Sequence, residues 1–410
     1  MPCERLMCCA RRSSVSEPRV LFVAHDAYRA GATIFLLNML RWLRDRTSLQ
    51  FEIALRNDGE MVAEFEKLGR THVLAAPPDG AAGLRGRVGR WLDRCSAHRR
   101  QRTLQSLLDS GDFDLLYLNT ITLGDQLAAL KRLPVPVITH VHELGWAIQR
   151  YARGEERRVL NASARVICVS EAVRSNLVNH FGCPAEKALC IHGFVPVQGE
   201  PADPSHERRK RLLEPFGIPE NARLIGLCGH GNLHKGVDLV VPLARLLPVE
   251  VAGRELHLVW IGALAPEYPR EVALADARRA GVGDRLHFTG VTPTPREWLS
   301  LLDVHALLSR EDSFPLVVME AGVQGVPTVA FRDAGGAVEF IHDDAGTCTP
   351  FLDLPAFAAS LVELLENEDM RRAKAATARA RVHARHAPEV ALPQIVQVIE
   401  QVAKSPSSGK

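Results

Sequence analysis

No apolar run of 18 residues occurs anywhere in the 410-residue chain. A helix that crosses a bilayer needs about 20 mostly apolar residues, so none is expected. The chain also carries almost no net charge, +2 with 24% charged residues, which excludes the global basic field of a nucleic-acid binder. None of its nine cysteines (Cys3, Cys8, Cys9, Cys95, Cys168, Cys183, Cys190, Cys228 and Cys348) stands at C-x-x-C spacing, so the thiolate pairs of a zinc site are missing. Several lie in apolar, strand-like runs, the usage of buried thiols in a reducing compartment. The apolar patch from Leu6 to Ala10 is too short for the core of a secretion signal. A cytoplasmic protein is expected, with residues 1–17, which have no periodic pattern, as a disordered leader.

What the chain does have is length for two domains, at about 150 residues each, and a repeated alternation of strand and helix patterns. Val20-Leu21-Phe22-Val23-Ala24 is a buried-strand run, and Thr33 to Leu43 follows at helical spacing. Further strands are expected at Phe51 to Leu55, Val73 to Ala75, Leu115 to Leu118, Val135 to Val141 and Val166 to Val169. A second series is expected at Leu224 to Cys228, Leu256 to Ile261, Leu286 to Thr289, Val304 to Leu308 and Thr328 to Phe331. The fold class is α/β: two Rossmann-like, doubly wound domains facing a central cleft. Five prolines and the charge run Glu207 to Arg211 mark a domain crossing near Pro201. The expected domains are therefore residues 18–200 and 201–386. A C-terminal helix over 387–403 packs back towards the first domain, and 404–410 form a disordered tail.

One local charge asymmetry stands out. Arg85, Arg87, Arg90, Arg94, Arg99, Arg100 and Arg102 surround Trp91 and Leu92, against the single acid Asp93. Such a stretch either lies on an anionic membrane surface as a peripheral contact or is a solvated helix face.

Two stretches could carry chemistry. Gly229-His230-Gly231-Asn232-Leu233-His234-Lys235-Gly236 follows a strand and opens a helical segment. Glycines let a backbone approach a phosphate and Lys235 adds a point charge, although a tight strand-helix turn needs similar glycines. The other is Ser309 to Ala321, read as a strand end, an acidic loop and a helix over residues 315–324, with Pro315 in the first turn and Gly325 at the stop. Asp312 then precedes the helix and Glu320 lies in it, at the carboxyl end of a parallel sheet, where ligands of such sheets bind. Carboxylates accept hydrogen bonds from sugar and ribose hydroxyls. On pattern alone the two acids could equally be solvated or cap a helix. Together with Lys235 they describe a nucleotide sugar.

Asp312-x7-Glu320-Ala321-Gly322-Val323-Gln324-Gly325-Val326-Pro327, read with Lys235-Gly236, resembles the donor site of the retaining nucleotide-sugar glycosyltransferases of family 4, which have the two-domain GT-B fold. Gly31, Asn119-Thr120, His140-Val141-His142-Glu143, Val169-Ser170-Glu171 and Gly335-Gly336 with Glu339 follow in the family's order. The resemblance implies that Glu320 binds ribose hydroxyls, that Asp312 or the adjacent Glu311 faces the transferred sugar, and that Lys235 neutralises the departing diphosphate. Gly229, His230, Gly231, Ser313, Phe314 and Leu316 would complete the donor side. His142 would touch the donor sugar or the reacting centre, or else be a structural histidine. Gly31, Ala32, Asn119 and Thr120 would face the acceptor. No metal and no cofactor are implied.

This chain departs from the family pattern at several points. Asp312 stands where Glu is usual, His230 where many members place an Arg, and Gly31-Ala32-Thr33-Ile34 where Gly-Gly-Ala-Glu is usual. The expected partners are a nucleotide diphosphate sugar and a glycan or lipid-linked acceptor, met in the cytoplasm or peripherally at the inner face of the membrane. No nucleic acid is expected. Competing readings are a nonhydrolysing nucleotide-sugar epimerase on the same fold and a noncatalytic nucleotide-sugar-binding assembly subunit.

Overall fold

The computed structural model describes residues 17–74, 102–197 and 205–404. The leader, most of the arginine-rich stretch and the crossing at Pro201 lie outside the described residues. Among the described residues, no helix is long and apolar enough to cross a membrane.

β1 (Arg19–Ala24), β2 (Gln50–Leu55), β3 (Thr71–Val73), β4 (Leu115–Leu118), β5 (Val137–Val141), β6 (Ser163–Cys168) and β7 (Ala188–Cys190) form one parallel sheet, in the order β3-β2-β1-β4-β5-β6-β7. β1 is apolar from Val20 to Ala24 because both of its faces are covered there. Leu21 and Val23 join one core, while Val20 and Phe22 join the other.

The second sheet contains β8 (Arg223–Cys228), β9 (Glu250–Val251), β10 (Arg254–Ile261), β11 (Leu286–Phe288), β12 (Val304–Leu307), β13 (Thr328–Phe331) and β14 (Gly346–Thr349). Its parallel order is β11-β10-β8-β12-β13-β14, with β9 antiparallel beside β10. The architecture is thus the two-sheet, doubly wound α/β arrangement expected from the strand and helix patterns. Three short strands, β7, β9 and β14, add to the expected set.

The chain's last described helix, Pro388–Lys404, returns to the first domain. It lays Leu392, Ile395, Ile399 and Val402 into the core that holds Phe22 and Phe35, at about 2 kcal/mol for each large apolar side chain buried. At the return, the Nδ1–H of His386 donates to the Gly193 carbonyl at 3.0 Å, and Val195 N donates to the His386 carbonyl at 3.1 Å. Burial holds the His386 imidazole down to about 4, so it remains a neutral donor near pH 7.

Candidate active site

On the C-terminal side of the cleft, β8 runs into the Gly229–Gly236 turn. Gly236 has φ +72°, and a Cβ there would fall 2.1 Å from the Leu308 carbonyl oxygen, so only glycine lets the turn press against the end of β12. Asn232 Oδ1 accepts from Lys235 N at 2.9 Å and closes the turn. These constraints place Lys235 beside the acidic loop. Its Nζ donates to Asp312 Oδ2 at 2.5 Å, and Ser309 Oγ donates to the same oxygen at 3.2 Å.

Arg310, which the sequence reading did not single out, laces the two loops together. Its guanidinium grips both oxygens of Asp238 at 2.8 Å and donates to the Leu233 carbonyl at 2.6 Å. Its backbone N donates to the His234 carbonyl at 2.8 Å. Bidentate pairs of this kind fix geometry as well as adding energy.

Glu320 lies in the Leu316–Val323 helix and makes no side-chain hydrogen bond to a described residue. Burial raises its carboxyl above the usual range, against an opposing pull from Arg296. The Cys228 thiol at the end of β8 is pushed up to about 12, first by burial and then by Glu320. Lys235 acts on the same thiol in the opposite direction, so Lys235, its partner Asp312 and Glu320 belong to one neighbourhood, and Glu320 keeps its acceptor capacity unused.

Glu311 does not join this group. Its oxygens accept from Trp146 N at 3.1 and 3.0 Å and from Ala147 N at 3.4 Å, in the other domain. The Ser313 carbonyl accepts from Ser170 Oγ at 2.7 Å. Phe314 is buried against the rings of His192 and His386, with centroids 5.2 and 5.4 Å away, and Leu316 packs on the same core. What these two offer a ligand is backbone rather than side chain. Gly229 (φ +136°) and Gly231 sit under the turn, its close partner Gly262 lies against the Gly229 carbonyl, and His230 is exposed at the tip.

The N-terminal side is built around Asn119. Its Nδ2 donates to the Ala32 carbonyl at 2.9 Å, and its Oδ1 faces His142 Nε2 at 3.2 Å. Because the Ala32 carbonyl can only accept, the amide orientation is fixed and His142 must carry its proton on Nε2. His142 Nδ1 is then the bare nitrogen. Burial, with His25 second, holds this imidazole down to about 3, so His142 is neutral near pH 7.

Thr120 Oγ1 donates to Glu143, whose other oxygen accepts from His142 N at 3.1 Å and Ile121 N at 3.4 Å. Gly31 opens the Gly31–Arg46 helix, with open space where a Cβ would lie. Asn119 thus joins Ala32, beside Gly31, to His142, with Thr120 next in the chain. His140 is fully buried, bonded to the Tyr117 hydroxyl at 2.7 Å, and its Nε2 has no partner.

Among the described residues, the one group of three potential metal ligands whose atoms lie within 4.8 Å of one another is Cys190, His192 and Glu339. Glu339 is already engaged there, accepting from Glu171 N at 2.9 Å, Ala172 N at 2.8 Å and His192 Nε2 at 2.8 Å.

Two parallel doubly wound sheets, with the ends of β8 and β12 facing those of β1, β4 and β5, define the GT-B class of glycosyltransferase fold. Residues 30–198 match Glycosyltransferase Family 4 and residues 208–381 match Glycosyl transferases group 1. The chain belongs to this family.

Among its relatives, the D-inositol 3-phosphate glycosyltransferase of Thermobispora bispora is 23% identical over 373 residues, 85% of this chain and 84% of that one. The N-acetyl-alpha-D-glucosaminyl L-malate synthase of Bacillus anthracis is 29% identical over 202 residues, 49% of this chain and 51% of that one. Anabaena HepE in complex with UDP and glucose superposes with a TM-score of 0.74 at 19% identity, over 94% of this chain and 100% of that one. Sucrose-phosphate synthase from Thermosynechococcus elongatus gives 0.76 at 18% identity, over 95% and 100%.

Proposed function

We propose that this glycosyltransferase moves a sugar from a nucleotide diphosphate sugar to an acceptor hydroxyl, with retention at the anomeric carbon and without a metal, in surface-glycan or glycolipid assembly. The observation that carries the reading is the 2.5 Å contact between Lys235 Nζ and Asp312 Oδ2, with the unpaired Glu320 in the same neighbourhood. A diphosphate draws Lys235 away from Asp312, and the carboxylate so released accepts from hydroxyls of the transferred sugar. Glu320 accepts from the ribose. As the bond to the leaving diphosphate breaks, Lys235 stabilises the negative charge that develops there. Backbone N–H groups at the start of the Leu316–Val323 helix add to this stabilisation. The remaining contribution is orientation of the acceptor against the sugar.

The relatives support a transfer reaction, since one is a D-inositol 3-phosphate glycosyltransferase and another an N-acetyl-alpha-D-glucosaminyl L-malate synthase. A peripheral contact through residues 85–102 would bring the enzyme to a lipid-linked acceptor. The test supplies UDP-, GDP- and ADP-sugars with an acceptor panel in the presence of a chelator, and reads the anomeric configuration of the product by NMR. Transfer with retention, undiminished by the chelator, is expected. Inversion, strict metal dependence or interconversion of the donor sugar without an acceptor overturns the proposal.

A further inference from the structure

The neighbouring acids Glu311 and Asp312 bond to different domains. Asp312 binds Lys235 within its own domain, whereas Glu311 reaches across to the backbone N–H groups of Trp146 and Ala147. These open the Gly145–Tyr151 helix, whose N-cap, Leu144, has no side chain able to cap it. Glu311 supplies from the other domain what the local sequence lacks. A second contact reaches the same helix start: the Trp146 indole stacks on His234, with centroids 5.0 Å apart and planes 27° apart. His234 directly precedes Lys235, so both loops of the donor site meet the N-terminal domain at Trp146.

On its other side, the Asp312 main chain is pinned to a strand-like segment. Asp312 N donates to the Ala334 carbonyl at 2.7 Å, and Gly336 N donates to the Asp312 carbonyl at 3.0 Å. That segment leads into Glu339, which accepts from the first N–H groups of the Glu171–His180 helix. Asp312 is therefore suspended between two carboxylates of its own domain, each bonded to a helix start of the other.

We infer that Glu311 is a positioning residue that makes the placement of Asp312 depend on contact with the N-terminal domain. The inference rests on the proposed function for its kinetic consequence but not for its structural one. A carboxylate that only stabilised a short helix would leave Asp312, and the balance between binding and turnover, unmoved.

The test uses the full chain with Glu311→Ala and Glu311→Gln. It reads amide hydrogen exchange in segments 145–151 and 309–316, affinity for the tightest-binding of UDP, GDP and ADP, and turnover of the matching sugar nucleotide. In Glu311→Ala, exchange should rise at Trp146, at Ala147 and also at Asp312. Nucleotide affinity should stay within about twofold while kcat falls about 10- to 100-fold, the scale of a small misplacement. Glu311→Gln, with one neutral acceptor of the same reach, should recover most of kcat. Unchanged exchange at Asp312 overturns the inference whatever the turnover. So does a parallel fall of affinity and kcat, or a Gln variant no better than Ala. If the parent turns over no donor, the proposed function fails, and the exchange at Asp312 still decides the positioning role.

Discussion

Lys235 Nζ and Asp312 Oδ2 meet at 2.5 Å across 77 residues of chain, joining the glycine-rich loop to the acidic loop. Each group therefore holds the other in place, and in the proposed reading a donor would meet the cation with its phosphate and the carboxylate with its sugar. Separating them has unequal consequences. Lys235→Ala should weaken binding of a nucleoside diphosphate by about tenfold or more, the worth of a charge-assisted hydrogen bond. Asp312→Asn, which frees Lys235, should leave that affinity equal or tighter while turnover of the sugar nucleotide falls. Titration calorimetry with UDP, GDP and ADP distinguishes the two. A parallel loss in both variants would mean that the pair is only a brace between loops.

Glu320 gives a pH signature. Burial raises its carboxyl above the ordinary 4.5, so the ionised form that the proposed ribose contact requires is lost as pH falls, beginning above the usual glutamate range. Donor affinity should decline on acidification with a step that is absent in Glu320→Gln. The step should also be absent for a ligand that carries diphosphate but no ribose. Affinity profiles with the same midpoint in parent and variant would remove Glu320 from the ribose role.

Asn119 should control the protonation site of His142. Asn119→Ala removes both the bond to the Ala32 carbonyl and the acceptor facing Nε2, so the imidazole becomes free to exchange tautomers. Nitrogen-15 chemical shifts of His142 should move from a single Nε2–H form towards a mixture, and turnover should fall about 10-fold with little change in nucleotide affinity. A single unchanged tautomer in the variant would contradict the assignment.

Acid should destabilise the fold over a defined window. Burial holds His287, His305 and His386 near 4 and His142 near 3, against the ordinary 6.5. The unfolded chain therefore binds more protons between these values, and stability that is full above 6.5 is lost as pH falls towards 4. The slope reaches about 1.4 kcal/mol per pH unit for each such histidine. Urea midpoints measured from pH 8 to pH 4.5 should be level above 7 and fall below 6.5. A flat profile would show that these imidazoles are charged in the folded chain.

The sequence was legible where physics is local. Continuous apolar runs such as Val20 to Ala24 and Leu115 to Leu118, each followed by turn residues, are the pattern of strands covered on both faces. The spacing of Asp312 and Glu320 around Pro315 fixes one acid before a helix and the other within it. β14, Gly-Thr-Cys-Thr, has no apolar pattern of its own and becomes a strand by pairing with β13. The tertiary bonds carried no local signal. Arg310 and Asp238 are 72 residues apart, and Glu311 and Trp146 are 165 apart. Nothing near Glu311 in the sequence says that its partner differs from that of Asp312. The distinction comes from the uncapped helix at Gly145, which draws one acid across the cleft.

The central proposal is that Lys235 holds the diphosphate and Glu320 the ribose of a nucleotide sugar. The most direct measurement is a panel of UDP-, GDP- and ADP-sugars scored by thermal shift and slow hydrolysis on the parent, Lys235→Ala and Glu320→Gln. At least one donor should raise the parent's melting temperature and slowly release its nucleoside diphosphate, and both responses should be lost or strongly reduced in each variant. Equal responses in all three proteins would contradict the site.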